Sequence, residues 1–273
     1  MPGDATPEGA RRRFYDGGVP GEAPDRTRAP RIVLERLVEA DEERFTLRRR
    51  LAYDDEEVGE LLVPADPEVF RTDLASVPAA LTWLVPRTGR HLPAALVHDA
   101  LVETHLGAPA YVSTRGVDVD RVTADRVFRR AMRDTRTRTV RRWMIWSAVS
   151  LATIRAGSSS WSPARHLRLR VAALTSLGLV AVIGVLATLD LLDVVAVLPW
   201  MGERPWWAEL LGGAAGAVVV PLLLSLTWGP LRAAGAILGV ALALLLHVTA
   251  AIVALTLLYR GVERVVSGPQ RSA

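Results

Sequence analysis

The chain has 273 residues, 50% of them hydrophobic and only 6% aromatic, with a mean hydropathy of +0.23 and a formal net charge of +4 carried on arginine, since it contains no lysine. It has no cysteine, which excludes disulfides, thiolate metal sites and cysteine nucleophiles. Charge is concentrated before Arg170 and the remainder is mostly Leu, Val, Ala and Gly, so a soluble domain followed by a membrane domain is expected.

Residues 1–30 are rich in Pro, Gly, Arg and acids and lack an apolar period; they read as a disordered tail, with no apolar stretch of signal-peptide type. The soluble domain is expected over 31–156. Its first part is β-like. Arg31 to Leu37 is short and apolar, Phe45 to Tyr53 partly alternates, Asp54 to Glu57 is a turn and Gly59 to Pro64 returns, which predicts a small antiparallel sheet. Phe70-Arg-Thr-Asp-Leu-Ala-Ser-Val-Pro78 then places Thr72, Asp73 and Ser76 ahead of an apolar helix, Ala79 to Val85. Asp73 or Ser76 could cap that helix, and the polar residue left over could serve a site.

The next helix is Leu92-Pro-Ala-Ala-Leu-Val-His-Asp-Ala-Leu-Val-Glu-Thr-His-Leu106, with Pro93 in its first turn and Gly107 past its end. Ala94, Val97, Leu101 and Val102 share a face with His98, and Asp99 lies on the flank. A third helix begins near Asp118, with Val122, Asp125, Phe128 and Met132 on one stripe. Asp125 is thus a carboxylate on or beside a buried face, where it needs a partner. If the two helices pack antiparallel, that partner is His98, and the pair has the logic of an oriented general base. A lone pair of this kind more often braces two helices than catalyses. A fourth helix runs from Thr137 to about Ile154, too short an apolar run to cross a bilayer. Nine arginines between Arg121 and Arg142 give a cationic face, better suited to anionic lipid than to nucleic acid.

Residues 157–170 read as a linker. A membrane domain is expected over 171–260, with three transmembrane helices at about 171–197, 206–228 and 233–259, and a tail over 261–273. Trp200, Trp206, Trp207, Trp228 and Tyr259 fall at interfaces. Arg165, Arg168 and Arg170 precede the first span and place the soluble domain in the cytoplasm by the positive-inside bias. The fold class is therefore α+β with a small antiparallel sheet, followed by an all-α membrane domain.

The ordered run Leu-Val-Pro64, Phe70 to Pro78, Pro93-Ala-Ala-Leu-Val-His-Asp99, Ala124-Asp-Arg-Val-Phe128, Ala131-Met132 and Arg142-Trp143 resembles the domain-of-unknown-function family number 1353, over about residues 45–154. That family occurs in phages and bacteria, and the resemblance implies that Thr72, Asp73, Ser76, His98, Asp99 and Asp125 form its polar signature. The His98-Asp99 pair with a distant Asp is also similar to the motif of bacterial phospholipases A2. That likeness implies His98 as base, Asp125 as its orienter, Asp99 as a calcium ligand and a lipid substrate. Against it, the chain has no cysteine and Val102 stands where an aromatic is usual. The functional expectation is a membrane-anchored protein with a cytoplasmic His/Asp site, a hydrolase acting at the membrane. The alternative is a non-catalytic interaction, assembly or lysis module in which those residues are scaffold.

Overall fold

The structure is a computed structural model and describes residues 12–39, 42–72, 89–105, 108–202 and 204–267. It divides into two units. The first takes in the described residues up to 72, together with 89–149 and 156–161; the second takes in 150–155 and the described residues from 162 onward.

In the first unit, β1 (Phe14–Asp16), β2 (Leu34–Glu39), β3 (Glu42–Leu47), β4 (Leu51–Asp55) and β5 (Gly59–Val63) precede helix α1 (Leu92–Val102). Three two-residue strands follow, β6 (Thr104–His105), β7 (Ala108–Pro109) and β8 (Val112–Ser113), then α2 (Arg121–Asp134) and α3 (Thr139–Ala156), of which 150–155 are counted with the second unit. The main sheet has the order β1-β4-β5-β8, antiparallel throughout, and β2-β3 and β6-β7 are separate hairpins. Helix α1 packs on β4 and β5, and α2 packs on α1 and β4. Leu61, Ala94, Leu96, Val97, Ala100, Ala124, Val127, Ala131 and Met132 are fully buried. The small residues among them let the helices approach the sheet closely.

Residues 1–30 are not wholly a tail. Phe14 and Tyr15 pair with Tyr53 and Ala52, Tyr15 is fully buried against Ala52 and Leu62, and Asp16 holds the Arg49 guanidinium at 2.6 and 2.7 Å. Two apolar residues in a polar stretch are too few to show a period, yet one buried aromatic suffices to dock a strand. Phe45 to Tyr53 is not one strand either, because the chain leaves the β conformation at Arg48 to Arg50 and β3 and β4 enter different sheets. Helix α1 stops at Val102, short of Leu106, because Glu103 turns to an extended conformation (φ −89°, ψ 140°) and Thr104–His105 pairs with Ala108–Pro109. The expected helix Ala79 to Val85 lies outside the described residues.

Helix α2 is closed at both ends by local chemistry. The Asp120 carboxylate accepts from the Thr123 N–H at 2.9 Å, the usual N-cap arrangement. At the far end Arg136 adopts φ 55° and the Thr137 N–H donates to the Met132 carbonyl at 2.9 Å, closing the helix as a Schellman motif without glycine. Asp120 also accepts hydrogen bonds from Ser158, at 2.9 Å, and from Ser160. Burial pushes the Asp120 carboxyl up, but the hydrogen bonds from Ser160, Thr123 and Ser158 outweigh it and bring it down to about 2 from 3.8. A depressed carboxyl stabilises the fold above its unfolded value and loses that contribution as pH falls through the folded value. Protection of the first α2 amides, read by hydrogen exchange, is therefore expected to decline between pH 4 and 2. Asp120→Ala should flatten that decline and cost about 1 kcal/mol near neutrality.

In the second unit, α4 (Pro163–Leu191) and α5 (Trp206–Ser225) are followed by a 3-10 turn, Leu226–Leu231, and α6 (Arg232–Ser267). Two helical segments are long and apolar enough to cross a membrane, Pro163–Leu191 and Trp206–Val248. The expectation of three separate spans is thus corrected to two apolar segments, the second of double length. No polar loop separates Trp228 from Ala233. The chain bends at Gly229 (φ 58°, ψ −122°), a left-handed value that suits glycine, and Pro230 follows. Gly239 lies so close to Pro221 that a Cβ there would stand 2.7 Å from the proline Cβ, so α6 doubles back along α5. The first segment also differs from the expected 171–197. It begins at Pro163, within the expected linker, and ends at Leu191, where the Asp190 carboxylate accepts from the N–H groups of Val197 and Leu198 at 3.0 Å each. Apolar side chains point outward, Leu174 72%, Leu211 63% and Leu258 64% exposed. That is the reverse of a water-soluble bundle.

Candidate functional site

Helices α1 and α2 bring together the two residues that periodicity had placed on facing stripes. The His98 Nε2 stands 2.9 Å from the Asp125 Oδ1. Both are buried, at 8% and 4% exposure, and the Phe128 ring stacks on the imidazole with centroids 4.7 Å apart at 28°. Phe128 is one turn from Asp125 on α2, so a single helix supplies both the carboxylate and the apolar wall. A carboxylate at this position accepts, so the contact is made by an N–H on Nε2, the tautomer that an oriented base requires. Among the described residues no group hydrogen-bonds Nδ1. Geometrically this is an oriented imidazole with one nitrogen committed and the other available.

Asp99 follows on the adjoining flank of α1. Its Oδ2 accepts from the Thr72 hydroxyl at 2.6 Å. Thr72 is itself fixed by a reciprocal backbone pair with Phe45, 2.8 Å in each direction, and is 3% exposed. Four of the six signature residues thus form two bonded pairs on consecutive positions of one helix, His98–Asp125 and Asp99–Thr72. Asp73 and Ser76 lie outside the described residues. Among the described residues no group of three or more His, Asp or Glu stands close enough to hold a metal ion. Asp99, which the phospholipase likeness implies as a calcium ligand, carries the Thr72 hydroxyl on its Oδ2. Arg165, Arg168 and Arg170 lie near the start of α4 and are exposed.

Sequence reasoning missed the ionic lock beside this site. Asp55, at the end of β4, takes the Arg130 guanidinium in a fork, Nε to Oδ2 and Nη2 to Oδ1 at 2.8 Å each. It also accepts from the N–H groups of Glu57 and Val58 at 2.9 and 3.1 Å. Burial pushes the Asp55 carboxyl up, but Arg130 and the two backbone donors hold it below its usual value. The Tyr53 hydroxyl donates to Asp134 at 3.0 Å. These pairs tie the sheet to the helix that bears Asp125, across 75 and 81 residues of sequence, and no local pattern announces them.

No curated protein and no solved structure matches the chain. Residues 45–149, which hold Thr72, His98, Asp99 and Asp125, match the model of the family described as Protein of unknown function (DUF1353).

Proposed function

We propose that this chain is a membrane-anchored hydrolase whose soluble unit activates water at His98, with Asp125 holding the imidazole in the productive tautomer. The observation that carries the reading is the 2.9 Å bond from His98 Nε2 to a buried carboxylate, with Nδ1 unbonded among the described residues. A base within hydrogen-bond reach of its orienter contributes about 10²–10⁴-fold to a proton-transfer step. The apolar segments Pro163–Leu191 and Trp206–Val248 support anchoring in a bilayer and make a lipid the favoured substrate. Arg165, Arg168 and Arg170 favour anionic lipid at the cytoplasmic face, with the soluble unit on that side. Asp99, half-buried beside the imidazole, is the carboxylate positioned to orient substrate or calcium.

The test is phospholipid hydrolysis by the full-length chain in mixed micelles, with and without calcium. Fatty-acid or headgroup release that His98→Gln abolishes, while helix content and thermal unfolding stay as in the parent, is the expected result. No release under either condition, or release that His98→Gln leaves intact, overturns the reading. A second reading is favoured by one observation: the stacked Phe128 and the low exposure of His98 suit a polar brace between α1 and α2. In that case the chain is a non-catalytic membrane-tethered interaction or assembly module, and His98→Gln lowers stability with no activity to lose.

A further inference from the structure

The arginines of α2 and α3 are not equivalent. Arg126 pairs with Glu57 at 3.2 Å. Arg130 pairs with Asp55 and with Glu57 at 2.8 and 2.9 Å. Arg133 is held by Asp134 at 3.2 Å and by Glu56 at 3.6 Å. The nearby acids are thereby committed. Arg129 sits instead between two indoles, its guanidinium carbon 4.8 Å from the Trp143 ring centroid and 5.0 Å from that of Trp146. The two rings meet edge to face, at 90° and 5.3 Å. Among the described residues neither Arg129 nor Arg142 has a carboxylate partner.

Indole faces satisfy the flat surface of a guanidinium but not its rim of N–H donors. That rim has the spacing of two phosphate oxygens and binds them as a fork. Burial pushes the Arg129 guanidinium down from its ordinary value, and the charges of Arg130, Arg142, Arg126 and Arg133 push the same way.

We propose that Arg129 and Arg142 form a binding site for a phosphate group, carried either by a lipid headgroup or by a soluble phosphate monoester. Trp143 and Trp146 fix the orientation of the Arg129 fork, and Arg142 supplies the second charge. The site uses neither His98 nor Asp125: it draws on Arg129 of α2 and on Arg142, Trp143 and Trp146 of α3.

The experiment is calorimetric titration of the full-length chain in neutral-detergent micelles. Phosphatidic acid, phosphatidylcholine, glycerol 3-phosphate and a single-stranded oligonucleotide are the separate probes. Saturable binding of phosphatidic acid over phosphatidylcholine is expected, weakened about tenfold or more in Arg142→Gln, since charge-assisted hydrogen bonds are lost, and unchanged in Arg138→Gln. Binding of glycerol 3-phosphate as well assigns the site to the phosphate itself; binding of phosphatidic acid alone assigns it to the lipid headgroup, and both support the proposal. Arg129→Lys keeps the charge but not the fork, so it should lose affinity while its melting temperature stays near the parent's. Absence of saturable binding, equal binding by Arg142→Gln, or preference for the oligonucleotide overturns it.

Discussion

Arg130→Met is expected to lower the stability of the sheet-and-helix unit by about 3–5 kcal/mol, the cost of leaving one partner of a buried ion pair uncompensated. The Asp55 side chain is fully buried and receives two of its hydrogen bonds from Arg130. Without them only the backbone donors of Glu57 and Val58 remain, at 2.9 and 3.1 Å. The reverse deletion is milder, because Arg130 keeps Glu57 at 2.9 Å. The effect is best read by hydrogen exchange of β4, β5 and α2 amides in the full-length chain under increasing urea. Adding Asp55→Asn to Arg130→Met should recover much of the loss, since the orphaned charge is then gone. A change below about 1 kcal/mol in the single variant would mean that the two backbone donors suffice.

Asp125→Asn separates the two readings of the imidazole. If His98 acts as a base, the substitution removes the negative charge that holds the proton on Nε2 and lets an amide N–H face the ring instead, and activity is expected to fall about 10²–10⁴-fold with the fold retained. A nitrogen NMR spectrum of the His98 ring supplies a readout that needs no substrate. The parent should show Nε2 protonated and Nδ1 bare, and Asp125→Asn should shift protonation toward Nδ1. If the pair is a brace, Asp125→Asn instead costs about 1–3 kcal/mol, the range for a buried partner lost. A parent ring protonated on Nδ1 sinks the oriented-base assignment outright.

How legible this was depends on the distance over which the information is written. The α2 stripe is periodic and strongly amphipathic, and its buried members Ala124, Asp125, Val127, Phe128, Ala131 and Met132 were readable from spacing. The His98–Asp125 bond followed once two stripes were assumed to face each other. Thr72 is legible as a polar residue ahead of a helix, but its bond to Asp99 depends on the Phe45 bridge, which joins residues far apart in sequence. The end of α1 was misplaced because Glu103-Thr-His105 is as compatible with a helix as with a strand; the pairing of Thr104 with Pro109 decides it. Composition marked the apolar half, yet a turn made of Gly229 and Pro230 is indistinguishable by hydropathy from a loop between two spans.

The position of β1 bears on the fate of a shortened chain. In the order β1-β4-β5-β8, β4 has β5 on one side and only Phe14–Asp16 on the other. A product beginning after Asp16 would bare the main-chain donors and acceptors of Leu51, Ala52 and Tyr53 and open the space now filled by Tyr15. An apolar strand with an unpaired rim is a template for joining another molecule edge to edge. Those three residues of the polar N-terminal stretch therefore cover the rim of β4, a place that neither their number nor their surroundings in the sequence would suggest.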